Sequence, residues 1–235
     1  IKPDFIFVIG DREEAIAGAI VGNYMKKLVI HLGGGETAYG NADDPIRFAI
    51  SKLSHLHCCI SKFSCKKLIE SGEEKFRIFN TGNPAFINIK NSPRIIKEKL
   101  FDQIGMDNIY KKYIVLIKHP LSSEKDKLFY QLKITTESLK IFCLKNNLAT
   151  ICLQSNSDPG FATIDNYFKN YDKHNQWFLY LKTLNRIQFI NLIRNAKVLV
   201  GNSSMGFLEA PFYSLPVVNI GNRQKGRNNA GNRLV

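Results

Sequence analysis

Short apolar runs alternate with amphipathic stretches along almost the whole chain. Phe5 to Ile9, Leu28 to Leu32, 57 to 60 and 76 to 80 read as strands, with helices at 13 to 26 and 44 to 55. A second series opens at Tyr113-Ile114-Val115-Leu116-Ile117 and continues with a helix at about 123 to 146, a strand at 149 to 154 and a helix near 163 to 172. A strand at 177 to 181, a helix at 186 to 196 and two strands flanking Gly201-Asn202-Ser203-Ser204 complete it. Strand and helix periods alternating in this way predict an α/β chain with parallel sheets covered by helices, and both halves read as Rossmann-type.

The stretch from Thr81 to Lys112 holds Gly82, Pro84, Pro93 and Gly105 and is expected to carry one helix at 93 to 100. The boundary is placed near residue 110, giving a first domain with its linker over 1–110 and a second over 111–235. The opening IKPDFIFVIGDR reads as a domain entered midway, and the second series stops directly after a loop.

The chain has 235 residues, of which 44% are hydrophobic and 23% charged, so it can bury a core and is not a disordered binder. Its apolar runs are too short to span a bilayer, which takes about 20 residues. The formal charge of +13 admits nucleic acid, an anionic surface or a phosphorylated small molecule as partner. Lys26, Lys66, Lys97 and Lys140 sit singly on polar helix faces, without an aromatic-basic or recognition-helix pattern, which argues against nucleic acid. Five cysteines without CxxC spacing are expected to be buried, reduced thiols of a cytoplasmic protein.

Open parallel sheets bind ligands beyond the carboxyl ends of their strands. Those ends carry Gly10-Asp11-Arg12, HLGGGE at 31 to 36, Lys118-His119-Pro120, Gln154 to Asp158, Gly201 to Ser204, and Gly221-Asn222-Arg223. Backbone N–H groups around Ser203, Ser204 and Met205 suit a phosphate, helped by the serine hydroxyls and Arg223; equally, Ser203 caps the helix that follows. Glu209 would accept from the hydroxyls of a ribose or stand solvated, and His119 would donate to a phosphate or serve the fold alone. HLGGGE lacks both the GxGxxG and GxxxxGK[ST] spacings.

Taken in order, GDR (10–12), HLGGGE (31–36), ADDPIRFAISKLSHLH (42–57), KHP (118–120), GNSSMGFLEA (201–210) and PVVNIGNRQKGR (216–227) resemble the UDP-N-acetylglucosamine 2-epimerase family, closest to its hydrolysing, N-acetylmannosamine-forming branch. The resemblance implies two Rossmann-like domains facing across a cleft, the GT-B arrangement, with the N-terminal domain incomplete here. It implies that Ser203, Ser204, Glu209 and Arg223 bind the nucleotide, the serines at the diphosphate and Glu209 at the ribose, with Asn156 a further substrate contact. Arg12, His119, Asp11, Asp43 and Asp44 match the reacting end. Gly33 stands where the family is expected to carry a glutamate, leaving Glu36 the nearest carboxylate, and Phe48 stands where a histidine is expected.

The implied reaction breaks the anomeric C–O bond while removing the C2 proton, then returns water with the opposite configuration at C2, releasing UDP and a free sugar. Clustered carboxylates serve such paired acid and base steps. The resemblance implies no metal, no other cofactor, no membrane or nucleic-acid partner, and a homodimer or homotetramer. A GT-B glycosyltransferase using a UDP-sugar and a nucleotide-sugar binder that has lost catalysis are the rival readings.

Overall fold

The computed structural model describes residues 2–37, 43–106, 110, 112–225 and 233–234, the side chains of Asp43, Arg233 and Leu234 excepted. Of the described residues, one compact unit comprises 2–85 and Lys225, and the other comprises 86–224 and 233–234.

The first unit is built as β1 (Phe5–Ile9), α1 (Glu13–Tyr24), β2 (Leu28–Leu32), α2 (Asp43–Lys52), β3 (Leu56–Cys59), α3 (Lys62–Glu70) and β4 (Ile78–Asn80). The sheet is parallel in the order β1-β2-β3-β4. Every connection steps in the same direction, so right-handed crossovers place all three helices on one face. Val8, Ala15, Ala19, Val29 and Ile50 form the core on that face. The opposite face shows Phe5, Phe7, Ile9 and Phe79 to solvent.

Strand alternation explains the cysteines as well. Cys59 is buried on the covered face, whereas its neighbour Cys58 points the other way and is half-buried. Cys65 is also half-buried, and Cys143 and Cys152 are buried; all five are free thiols. The expectation of five buried thiols therefore holds for three of them.

The second unit opens with α4 (Ala85–Asn91) and α5 (Lys97–Ile104), followed by β5 (Tyr113–Ile117), α6 (Leu128–Asn146), β6 (Ala149–Leu153), α7 (Phe161–Asp172) and β7 (Phe178–Leu181). It continues with α8 (Arg186–Asn195), β8 (Val198–Gly201), α9 (Met205–Leu208), β9 (Val217–Asn219) and β10 (Arg233–Leu234). The order is β10-β9-β8-β5-β6-β7, all parallel, which is the doubly wound Rossmann order. The chain reverses direction between β7 and β8, so this sheet is covered on both sides. Leu132, Leu139, Ile164 and Phe168 pack on one face, and Leu100, Phe101, Leu192, Ile193 and Met205 on the other.

Three local differences from the sequence reading have identifiable causes. The segment 86–106, read as part of the first domain and its linker, packs with the second unit because Leu100, Phe101, Ile104 and Met106 enter its core. The helix expected at 93 to 100 begins only at Lys97. Residues 93–95 are held on α8 instead: Asn191 Oδ1 accepts from the Ile95 N–H at 3.0 Å, and Asn191 Nδ2 donates to the Pro93 carbonyl at 2.9 Å. The helix expected from 123 is broken, with a 3₁₀ segment at Ser122–Lys127 kinked at Glu124 (φ −119°) before α6.

Candidate functional site

Each unit gathers polar side chains at the carboxyl ends of its own strands. In the first unit, His31 at the end of β2 is fully buried. Its Nε2 donates to the Gly10 carbonyl at 2.8 Å and its Nδ1 meets Ser51 Oγ at 3.1 Å, joining the ends of β1 and β2 to α2. Burial is the main cause lowering its pKa to about 4, against the opposing pull of the Gly10 carbonyl, so the imidazole is neutral.

Arg47, on the inner side of α2, holds the other two loops. It forms an ion pair with Asp11 and donates through Nη1 to the Gly33 carbonyl at 2.7 Å. Gly33 has φ +86°, a backbone conformation that side-chain-bearing residues rarely adopt. Glu36 is buried against the start of α3, accepting from Ser64 Oγ and, at 3.5 Å, from Ser61 Oγ. Ser61 in turn caps α3 by accepting from the Ser64 N–H at 3.1 Å. Arg12 is exposed at the N-cap of α1, and Asp44 lies in the first turn of α2. The side chain of Asp43 lies outside the described residues.

The neutral state of His31 has a measurable consequence. An unfolded histidine takes up a proton near pH 6.5, whereas folded His31 resists protonation until about pH 4. Between those values the unfolded state binds the extra proton, so stability falls as pH drops through this window and levels off below it. The loss attributable to His31 is about 3 kcal/mol. Urea unfolding of the wild type and of His31→Gln at pH 7.5 and 4.5 should give the smaller pH dependence in the variant; equal dependence would remove the assignment.

In the second unit the sheet order reverses between β5 and β8, where Ile117 and Gly201 are register partners. His119 follows β5, Asn156 follows β6, Asn202 to Ser204 follow β8, and Arg223 follows β9. Asn202 is buried, and its carboxamide accepts from the His119 N–H at 2.7 Å while donating to the His119 carbonyl at 2.9 Å. The Asn202 carbonyl accepts from Gln224 Nε2 at 2.8 Å and Arg223 Nη1 at 3.4 Å. Arg223 also reaches the Asp158 carboxylate at 3.5 Å, where Asn156 Nδ2 donates too.

The loop after β6 is fixed from α7: buried Asp165 accepts from Gln154 Nε2 at 2.8 Å and the Ser155 N–H at 3.1 Å. That leaves the Asn156 N–H donating to His119 Nδ1 at 3.0 Å, with Ser155 Oγ 3.3 Å from the same nitrogen. An Nδ1 that accepts carries no proton, so the neutral ring has its hydrogen on Nε2. Burial, and after it Arg223, lowers the His119 pKa to about 4.

Beneath this layer, buried Lys118 donates to Gln131 Oε1 at 2.7 Å, and burial lowers its pKa to about 8. Glu124 accepts from Gln131 Nε2 at 2.8 Å and from the Asn222 N–H and Nδ2 at 3.1 and 2.8 Å. The kink at Glu124 thereby fastens the loop that carries Arg223.

Ser203 Oγ accepts from the Met205 N–H at 3.4 Å, but the N-cap of the four-residue α9 is Ser204, whose side chain makes no capping hydrogen bond, so the expectation of Ser203 as the cap is not met. Glu209, at the far end of α9, has its Oε2 3.9 Å from Arg186 Nη2, and burial raises its pKa. The structure thus brings His119, Asn156, Arg223 and the Ser203 segment to one strand-end corner, while the Glu209 carboxylate faces Arg186. Sequence reading passed over Arg47, Glu124, Gln131, Asp165 and Asn202. Four of these lie within helices or the kinked turn before α6, where period alone marks a polar residue as solvated. Asn202 stood inside the GNSS motif, its hydroxyl neighbours drawing the functional reading.

Among the described residues no group of three or more His, Cys, Asp or Glu side chains is gathered in a way that could hold a metal ion, and no helix is long and apolar enough to cross a membrane.

The fold is that of the two-unit Rossmann-like proteins of the GT-B class. The crystal structure of UDP-GlcNAc 2-epimerase from Neisseria meningitidis bound to UDP-GlcNAc superimposes with a TM-score of 0.76 at 16% identity, over 95% of this chain and 61% of that one. The chain belongs to the UDP-N-acetylglucosamine 2-epimerase family, whose model matches residues 1–235. It is 37% identical to the UDP-N,N'-diacetylbacillosamine 2-epimerase (hydrolyzing) of Legionella pneumophila, over 98% of this chain and 59% of the relative. It is 36% identical to the GDP/UDP-N,N'-diacetylbacillosamine 2-epimerase (hydrolyzing) of Campylobacter jejuni, over 97% and 58%. The chain therefore spans somewhat under two thirds of the length of these relatives.

Proposed function

We propose that the protein is a hydrolysing 2-epimerase that converts UDP-N-acetylglucosamine, or a 2,4-diacetamido analogue, to UDP and the free 2-epimeric sugar. The observation that carries this reading is the corner at the β5/β8 reversal, where the Nε2–H tautomer of His119 and the Arg223 guanidinium stand on one buried frame. Cationic and N–H donors set together suit the charge that a departing diphosphate acquires. Ser203 and Ser204 would contact the same diphosphate, Glu209 the ribose hydroxyls and Asn156 the substrate.

In this reading the C1–O bond breaks with its electron pair leaving on UDP, while a carboxylate takes the C2 proton, giving a glycal. Water then adds at C1 and a proton returns to C2 on the other face. The candidates for proton transfer are Asp11, Glu36, Asp43 and Asp44, with Arg12 at the reacting end. No metal or redox cofactor takes part in these steps. The activity named for two of the relatives, on diacetylbacillosamine nucleotides, favours a substrate with a nitrogen substituent at C4. We infer a cytoplasmic homodimer or homotetramer as the working form.

The protein incubated with UDP-sugar in deuterium oxide should release UDP and yield free sugar carrying deuterium at C2. Release of UDP only on adding an acceptor would replace this reading with that of a glycosyltransferase. Arg223→Ala should weaken UDP binding about tenfold, the effect of losing one charge-assisted contact.

A second reading, a nucleotide-sugar binder without turnover, draws on the Asp11–Arg47 ion pair and the seating of Glu36 on the α3 serines. UDP binding by calorimetry with no deuterium incorporation would favour it.

A further inference from the structure

The carboxamide of Asn202 occupies a position that the proposed chemistry does not itself require. It is a buried amide at the start of the loop after β8, yet both of its polar atoms are spent on the backbone of another loop, the one after β5. Its own N–H donates to the Ile117 carbonyl at 3.0 Å and its own carbonyl takes Gln224 and Arg223. One residue thus joins the three loops that carry His119, Ser203-Ser204 and Arg223.

We propose that Asn202 is a positioning residue, whose carboxamide holds the His119 backbone where the ring Nδ1 meets the Asn156 N–H, so that the ring offers Nε2–H as its donor. The naming of the diphosphate as the group that receives this hydrogen rests on the function proposed above; the positioning itself does not.

The paired contact is specific to an amide. A side chain that both accepts from an N–H and donates to the carbonyl of the same residue needs an oxygen and an NH₂ on one planar group. Aspartate keeps the first contact and sets a carboxylate against the His119 carbonyl in place of the second. Alanine keeps neither and leaves the His119 N–H and carbonyl without those partners.

Two further observations fit this role. The Asn156 N–H that fixes the ring is itself held by Asp165 through the adjoining Ser155 N–H, so the ring is set from both sides by buried groups. Arg223 depends on the same residue, because its Nη1 donates to the Asn202 carbonyl. Displacing Asn202 therefore moves the neutral donor and the cation together.

The test uses the protein with ¹⁵N-labelled histidine and UDP as the probe. In the wild type at pH 7 the His119 ring nitrogens should report the Nε2–H tautomer alone. In Asn202→Ala the two tautomers should mix, and UDP affinity measured by calorimetry below the unfolding transition should fall about tenfold or more. Asn202→Asp, which keeps one of the two contacts, should give an intermediate tautomer mixture; this variant carries the test if alanine prevents folding.

A purely structural residue would lower the unfolding temperature and leave the tautomer unchanged, with UDP affinity within about twofold; that result overturns the proposal. An Nδ1–H tautomer in the wild type overturns it as well. A wild type that binds no UDP but whose His119 tautomer responds to Asn202→Ala would sink the diphosphate reading while supporting the positioning role.

Discussion

Replacing Gly201 by alanine is expected to cost the second unit more than about 4 kcal/mol and to abolish UDP binding, because among the described glycines an added Cβ would meet its nearest atom here at the shortest distance. Gly201 has φ +133°, and a Cβ on it would stand 1.9 Å from the Ile117 carbonyl oxygen and 2.6 Å from the carbonyl carbon. Neither atom has a side chain's freedom to move aside. Ile117 is the register partner of Gly201 across β5 and β8, and its carbonyl receives the Asn202 N–H. The Gly201 carbonyl receives the Ile220 N–H at 2.8 Å, tying in β9. Relief of the overlap must therefore part strands whose ends carry His119, Asn202 and Arg223. Urea unfolding and calorimetry with UDP would check this; native stability together with native affinity in Gly201→Ala would refute the close approach.

The two sheets were legible in the sequence because their strands are short apolar runs bounded by polar turns, and Tyr113 to Ile117 is buried at every position. The strand-end rule then located the corner holding His119, Ser203 and Arg223 before any contact was known. Less legible was α3, whose KFSCKKLIE carries four charges in nine residues and buries only Ser64 and Leu68. Its presence follows instead from the parallel pairing of β3 and β4, which demands a crossover. Also hidden was the start of α5, delayed because Ile95 is held by the side chain of Asn191, 96 residues further on, which no local pattern can announce.

The same limit governs the site. Asp11 and Glu36 are recognisable as carboxylates at strand ends, but what they touch depends on α2 and α3, folded back from later in the chain. A residue's type was readable, and its partner was not. Asn202 is the sharpest instance, since the two hydrogen bonds of its carboxamide join residues 83 positions apart.

Arg47 and Asp11 provide the second large effect, and their variants separate a structural role from a chemical one. Arg47→Ala leaves the Asp11 carboxylate and the Gly33 carbonyl without the guanidinium in a largely buried place, which should destabilise the first unit by about 3 to 5 kcal/mol. Arg47→Lys keeps the charge but not a planar fork that serves both acceptors, so it should restore only part of that loss. Asp11→Asn is different: an amide oxygen can still accept from Arg47, and the cost in stability should be smaller than that of Arg47→Ala. As a proton-transfer group in the proposed reaction, however, the same carboxylate should be worth about 100-fold or more in turnover. Unfolding by urea and deuterium incorporation at C2, measured on both single variants and the double variant, distinguish the cases. If Asp11→Asn turns over as fast as the wild type while Arg47→Ala still unfolds readily, Asp11 serves only to anchor Arg47, and the proton must pass to Glu36, Asp43 or Asp44.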